Sequence, residues 1–552
     1  MKALRLALAA LLLATPAVGA EPRAGSGPIS PERLSAYVKE TASDRFAGRA
    51  PGTPGEEVTV TWLAQQWRRL GLEPAGENGS FFQPVPLVRT QVTSAEVAVT
   101  AGGSIRGWRQ GEDVYLNTVR PQDRVAADAP LVFVGYGVKA AERGWDDFKG
   151  ADLRGKILVF LVNDPDFEAQ PGDASIGKFG GRAMTYYGRW TYKYEEAARQ
   201  GAAGALIVHE TPGAGYGWQT VRAPGGENFD IVRAPGDVRV PFQGWIARDR
   251  AAELFKAAGQ DLEALKRRAR RADFRPVPLK ATMKLALQVR HEQVTSRNVL
   301  AKITGRTHPR ETVMVSGHWD AYGVGAPGKD GQTIRRGAAD DGVGVAGMLE
   351  IARALKAGPR PDRTVVFAAW TGEERGLLGS ETYGTRPLFP NALMAANLTM
   401  DVLQLAGPAR DMVLVGKGQS QLDDYLAQAA AKQRRTLTAD AAPERGLFYR
   451  ADHFSLAKRG VPVLLLMGMG GGHDLVAGGR AAGDKWVSDY TANCYHQTCD
   501  SWTPQLDFRG AAQDVEALYD ITRRLASSRE WPTWNAGSEF KAERDRTAWE
   551  RR

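Results

Sequence analysis

The chain has 552 residues, long for one domain and in the range of two or three. Its 43% hydrophobic and 24% charged residues exclude a long disordered polymer, and 62 Gly with 30 Pro fit a loop-rich α/β protein. The formal charge of +9 is scattered. Its densest basic run, LKRRARRADFR at 265–275, reads as a solvated helix face with no nucleic-acid motif beside it, so no nucleic-acid partner is expected.

The N-terminus reads MKALRLALAALLLATPAVGA. Lys2 and Arg5 form a positive region, Leu6 to Ala14 an apolar core, and Val18-Gly19-Ala20 a small-residue cleavage pattern. Residues 1–20 are therefore expected to be a secretory signal peptide, cut after Ala20. The apolar run is short for a membrane span, and no later stretch is long and apolar enough to cross a bilayer. An exported protein, periplasmic or extracellular and without stable membrane insertion, is expected.

Residues 21–127 open with a helix at Ser30-Pro31, where Leu34, Tyr37 and Val38 recur at helical spacing. A turn-rich FAGRAPGTPGEE follows, then VTVTWLAQQWRRLGL, with Val60, Leu63, Ala64, Trp67 and Leu70 on one face and Gly71 as its cap. Alternating strand-like runs fill about 85–125. At 128 the texture changes to short apolar strands and helices, such as APLVFVGYGV and TYKYEEAARQGAAGALIVHE, and residues 128–270 read as an inserted domain.

Residues 271–530 read as the main α/β domain, starting its alternation at SRNVLAKITGR, and 531–552 as a tail. The strands are ETVMVSGHWD, RTVVFAAWTGEE, NLTMDVLQL and VPVLLLMGMGGG, alternating with helices VGVAGMLEIARALKAG and FRGAAQDVEALYDITRRLASS. Such alternation implies a mixed, mostly parallel sheet flanked by helices, whose ligands sit at the carboxyl ends of the strands. That is where the acidic and histidine positions fall: His318, Asp320, Asp340, Glu373, Glu374, Asp401 and His496.

Alone, each has a plain structural reading. Asp340 or Asp341 could cap a helix, Glu373-Glu374 could be a solvated first turn, and His318 could be a surface residue. Asp401 lies in an apolar strand, where an unpaired carboxylate is costly to bury. Two histidines with several carboxylates at successive strand ends form a donor set for Zn²⁺ and point to metal-assisted hydrolysis. Cys494 and Cys499 are the only cysteines and flank Tyr495-His496. In an oxidising compartment a disulfide that aims His496 is expected, with two buried thiols as the alternative.

Together these motifs resemble the co-catalytic two-zinc exopeptidases, the family of secreted bacterial aminopeptidases and glutamate carboxypeptidase-like enzymes. FAGRAPGTPGEE and the helix ending LGLEP resemble that family's N-terminal segment, and 128–270 resembles its inserted, β-rich protease-associated domain. The resemblance implies two Zn²⁺ per chain: one on His318, Asp401 and a bridging Asp340, the other on Glu374, His496 and Asp340. It implies Asp320 as the group orienting His318, and Glu373 as the base acting on a metal-bridged water. Tyr495 would donate to the oxyanion. The implied activity is that of an aminopeptidase acting on peptides with a free N-terminus.

The chain departs from the pattern in places. Residues 323–337 form an extra loop, expected at the substrate rim, whose Lys329, Arg335 and Arg336 would suit a carboxypeptidase. ADHFSL matches a common family motif only in Asp452 and His453. The bridging position could be Asp341 instead of Asp340. A glutaminyl cyclase is disfavoured by the inserted domain, and a non-catalytic receptor by the full ligand set. Oligomeric state is not legible.

Overall fold

The computed structural model describes residues 28–222, 225–234 and 236–551. The expected leader, residues 1–20, lies outside the described residues. No helix among the described residues is long and apolar enough to cross a membrane.

Helix α1 (Pro31–Thr41) starts where the Ser30 hydroxyl accepts from Arg33 N and Pro31 takes the first helical position. Helix α2 (Pro54–Arg69) buries Val60, Leu63, Ala64 and Trp67, and Gly71 at φ +73° closes it. The chain then forms one long strand, β1 (Phe82–Ala101), followed by β2 (Val114–Asn117), β3 (Arg124–Phe133) and β4 (Ile157–Leu161). Helix α3 (Trp190–Arg199), β5 (Gly204–Val208), β6 (Gln243–Ile246) and helix α4 (Leu262–Ala269) complete the first layer.

The second layer begins with β7 (Val277–Ile303) and continues with β8 (His308–His318), helix α5 (Val343–Ala357), β9 (Arg363–Trp370) and β10 (Met394–Met400). It ends with β11 (Asp411–Val415), β12 (Thr436–Ala439), β13 (Val463–Leu466) and helix α6 (Arg509–Ala526). Its strands lie in the order β12-β11-β13-β10-β8-β9-β7. The pairs β9–β8, β8–β10, β10–β13 and β11–β12 are parallel, while β7–β9 and β11–β13 are antiparallel. The mixed, mostly parallel sheet flanked by helices is thus observed. Its central strands read as continuous apolar runs because helices cover both faces, and every residue of β9 is buried.

The same sheet runs on through β7-β3-β4-β5-β6-β2. Strand β7 belongs to both sections: its final residues pair with β9 and its first half with β3, while β1 pairs along nearly its whole length. The boundary expected at 127/128 therefore falls inside the continuous strand β3, and the alternation expected to start at 296 begins within β7. Hydrophobic side chains nevertheless gather into separate cores, one around β8–β10 and two on the faces of β3–β6.

Two expectations are corrected here. The basic helix α4 is not simply solvated: Lys266 is buried against Glu210 at 2.8 Å, and Arg270 just after it pairs with Asp173 at 2.7 Å. Residues 531–552 are not a loose tail either. Trp534 is buried with its indole N–H on Gly460 O at 2.9 Å, and Phe540 is buried beside it.

Trp67 fastens α2 to the sheet. It is fully buried with its ring 5.6 Å from that of Phe367 in β9. Trp67→Ala is expected to lower stability by about 3–5 kcal/mol in urea unfolding followed by circular dichroism. A change below about 1 kcal/mol would mean that α2 is not held by this contact.

Candidate metal centre

Strands β9, β8 and β10 are neighbours, and their carboxyl ends carry Glu373-Glu374, His318 and Asp401. His318 pairs across the sheet with Trp370, and Ser316 with Thr399, so the three termini are level. Asp401 lies just past β10 rather than within it. The following Val402 has φ 51°, a region rarely adopted by β-branched residues, and Gly468 N donates to its carbonyl at 2.7 Å.

His318 Nε2 lies 3.2 Å from Asp340 Oδ1, 3.9 Å from Asp401 Oδ1 and 3.9 Å from Glu373 Oε2. His496 Nε2 lies 3.4 Å from Asp340 Oδ2 and 3.1 Å from Glu374 Oε2. Two groups of potential ligand atoms result, His318/Asp340/Asp401 and Asp340/Glu374/His496, each within 4.8 Å and sharing Asp340. His318 Nε2, His496 Nε2 and Asp340 Oδ2 are buried without a hydrogen-bond partner. Buried lone pairs left unsatisfied in this way, converging on common points, fit a cation better than any internal hydrogen bond.

Asp320 sits behind His318. Its backbone carbonyl is 3.1 Å from His318 Nδ1 and its carboxylate 3.7 Å away, while that carboxylate also accepts from Glu373 N at 3.1 Å. Asp341 turns away from the cluster. It accepts from His318 N at 3.2 Å and from Gly344 N at 2.9 Å, at the start of α5. A side chain at Gly344 would collide with the Asp341 carboxylate, which explains the small residues of the GVG stretch.

Burial pushes the Glu373 carboxyl well above its ordinary range; His318 opposes the shift, and Asp401 and Glu374 add to it. Asp340 is held well below its usual value by His318 and His496, which outweigh its burial. Tyr495 is half-buried beside His496, ring centroids 3.6 Å apart, and Arg450 Nη2 donates to its hydroxyl at 3.5 Å. Cys494 and Cys499 form the expected disulfide around it, and His496 itself takes φ 63°.

Several participants were not singled out from the sequence. Asp500 accepts from Ala339 N at 2.9 Å, Asp340 N at 3.1 Å and the Tyr490 hydroxyl at 3.1 Å, and so fixes the backbone that presents Asp340. It directly follows Cys499 in the sequence. Arg49, in FAGRAPG, is buried and donates to Trp319 O at 2.7 Å, Thr41 O at 3.0 Å and Gly337 O at 2.8 Å, tying the N-terminal turn to the loops on either side of the cluster. An arginine amid glycines and alanines was the available signal. Tyr322 stacks on His496 with centroids 4.5 Å apart.

Glu373, Glu374, Tyr495 and His496 floor a cleft of about 400 Å³. Its roof comes from the first layer, including Tyr115, Arg189, Tyr216 and Trp245. The extra loop does not line it. Residues 323–337 pack instead on the N-terminal turn, with Arg336 on Asp44 at 2.7 Å and Asp330 on the Thr498 hydroxyl at 2.6 Å. Arg335 and Arg336 are thus absent from the cleft. Asp452 is buried and pushed up to about 8, chiefly by burial, and makes no ion pair among the described residues.

Residues 298–517 match the model of Peptidase family M28, so the exopeptidase-family resemblance is borne out. Carboxypeptidase Q of Xenopus laevis is 32% identical over 198 residues, 33% of this chain and 39% of that protein. Carboxypeptidase Q of Rattus norvegicus is 36% identical over 125 residues, 22% of this chain and 23% of that protein. The matched stretch spans well under half the length of these relatives. Among solved structures, the aminopeptidase from Aneurinibacillus sp. strain AM-1 superimposes with a TM-score of 0.50 at 18% identity, over 91% of this chain and 94% of that one, a likeness of fold.

His453 carries an acid-sensitivity of its own. Both ring nitrogens are buried without a partner beside Phe448, and burial pushes the imidazole down from 6.5 to about 3. Its folded-state value is depressed, so the unfolded chain binds the proton first. Stability is then full above 6.5 and falls as pH drops toward about 3. At pH 5 the loss relative to pH 7.5 is expected to be about 2 kcal/mol. His453→Met should flatten that acid limb in thermal melts; an unchanged limb would assign the titration to another group.

Proposed function

We propose that the chain is a zinc-dependent exopeptidase, an exported aminopeptidase that hydrolyses residues from a free peptide N-terminus. The observation that carries this reading is the pair of ligand groups sharing Asp340 beneath Glu373, with histidine and aspartate lone pairs left unsatisfied. Imidazole and carboxylate donors suit Zn²⁺. His318 and Asp401 would hold one ion, Glu374 and His496 the other, and Asp340 both. When bound, zinc supplies an acidified water and polarises the scissile carbonyl.

The remaining work falls to the chain. Asp320 keeps the His318 ring aimed. Glu373, within 3.9 Å of His318, takes the proton of the attacking water and returns it to the departing amine. The Tyr495 hydroxyl, polarised by Arg450, donates to the oxygen that becomes negative in the tetrahedral transition state. The layer formed by residues 128–270, similar to a protease-associated domain, roofs the cleft and limits what enters. A carboxypeptidase is the second reading, favoured by the cationic side chains Arg189 and Arg450 in that roof and wall.

Two zinc ions per chain are expected by metal analysis after dialysis. Asp340→Asn should weaken both, whereas Asp401→Asn and His496→Gln should each remove one. Retention of two ions by Asp340→Asn would end its role as the shared ligand. Glu373→Gln is expected to keep its zinc and lose about 10²–10⁴-fold in turnover. Mass spectrometry of one peptide offered free, N-acetylated and C-amidated tests the direction of attack. Shortening of the free and amidated forms from the N-terminus supports the aminopeptidase; trimming of the acetylated form from its C-terminus moves the assignment to carboxypeptidase.

A further inference from the structure

Residues 323–337 stay out of the cleft but run between two of the candidate ligands, starting shortly after His318 and ending shortly before Asp340. Their ends form a hairpin, Gly323 opposite Arg335 and Val324 opposite Ile334. Its base is pinned by Arg336 on Asp44 at 2.7 Å and by Arg49, which donates to Gly337 O at 2.8 Å. The tip is closed by Gly328 N on Gln332 O at 2.8 Å and Gly331 N on Gly328 O at 3.0 Å. It presents Asp330, whose carboxylate accepts from Gln332 N at 3.1 Å and from the Thr498 hydroxyl at 2.6 Å. The approach is close, since a side chain at Gly328 would collide with Thr498 Oγ1.

Thr498 belongs to the turn that carries His496. The other candidate ligands are held by the sheet or by a helix: His318 ends β8, Glu374 and Asp401 follow β9 and β10, and Asp340 leads into α5. His496 has neither support. It sits at φ 63°, in the left-handed region that residues with a side chain hold only when their surroundings impose it. Within the turn, Tyr495 N donates to Tyr490 O at 2.8 Å and Gln497 N to Cys494 O at 2.9 Å, and the Cys494–Cys499 disulfide closes it. Behind it, a cleft of about 380 Å³ lined by Lys39, Ser43, Asp330, Thr498 and Trp502 takes the place of a packed core. The loop touches the turn at two points instead, Asp330 on Thr498 and Ala339 N on Asp500 at 2.9 Å just past its base. A ligand on such a turn binds metal weakly unless the turn is ordered beforehand, because ordering it on binding costs conformational entropy.

We propose that residues 323–337 brace the His496 turn, with Asp330 as a positioning residue that acts through the Thr498 hydroxyl and tightens metal binding at the Asp340/Glu374/His496 group. This rests on the zinc reading of that group. Asp330 itself touches neither substrate nor metal. Its hydrogen bond fixes Thr498, and Thr498 fixes the path of the turn from His496 to Asp500. The other group takes His318 and Asp401 from the sheet and does not depend on the brace.

The test is the zinc affinity of the intact protein, in chelator-buffered titrations that resolve the two ions. Asp330→Ala and Thr498→Val are each expected to weaken one ion by about tenfold, as the loss of an outer partner does. Combined, they should cost no more than the worse of the two alone. Asp330→Asn keeps an acceptor and Thr498→Ser a donor, so each should retain most of the affinity. In a His496→Gln background, which leaves the ion on His318, Asp330→Ala should change nothing. Equal weakening of both ions, a loss that persists in the His496→Gln background, or an asparagine variant as damaged as the alanine one would overturn the brace. Hydrogen exchange of the zinc-free protein, read by mass spectrometry, reports the turn without metal: Asp330→Ala should speed exchange across 494–500 by at least about threefold. Two zinc ions bound, with neither affinity nor exchange altered by Asp330→Ala, removes the brace and leaves the exopeptidase reading. Faster exchange in a protein that takes up no zinc keeps the brace on the turn and removes the exopeptidase reading.

Discussion

Four carboxylates, the buried Asp340 and Asp401 and the largely shielded Glu373 and Glu374, crowd around two imidazoles, and no lysine or arginine forms an ion pair with any of them among the described residues. Burying that much like charge is the constraint on which the surrounding structure depends. Only a cation of high charge density relieves it locally. Everything nearby reads as support for holding the cluster together. Asp500 and Arg49 hold the backbone at 337–340 through its amides and a carbonyl, Asp320 spans from His318 to Glu373, and Asp341 ties His318 to the start of α5.

Much of this was legible in the sequence, for reasons that separate the two kinds of residue. The strands β8, β9 and β10 are buried on both faces and announce themselves as apolar runs, and a titratable residue at the end of such a run stands out. That is why His318, Glu373, Glu374 and Asp401 could be read in order. Asp500 and Arg49 act through backbone carbonyls and amides, which carry no sequence signal, so their partners appear only once the loops are folded. The choice between Asp340 and Asp341 rested on spacing; their side chains diverge, one into the cluster and one toward Gly344.

The extents of the elements were harder to read. Strand β7 looked like a start at 296 because its first half alternates, with one face exposed, while its last residues are buried on both. A single strand that changes layers changes its hydrophobic pattern midway. The loop at 323–337 was placed at the substrate rim by sequence proximity to His318, but its hairpin folds back onto the N-terminal turn. The cleft is roofed instead by residues of β2, β6 and the segment around α3, far upstream of the floor in sequence, a relation no local pattern can carry.

The β1–β7 ribbon that joins the layers has a consequence for how the chain is made. Phe82 pairs with Val299 and Ala101 with Ala281, so about 200 residues separate the partners. During vectorial synthesis β1 emerges early, and the edge that takes β7 stays unpaired until the whole first layer has been translated. Pairing at such sequence separation closes slowly, and the open edge is available to other chains meanwhile. A helper that shields extended apolar segments would act on this interval, well before the histidines of the site have left the ribosome.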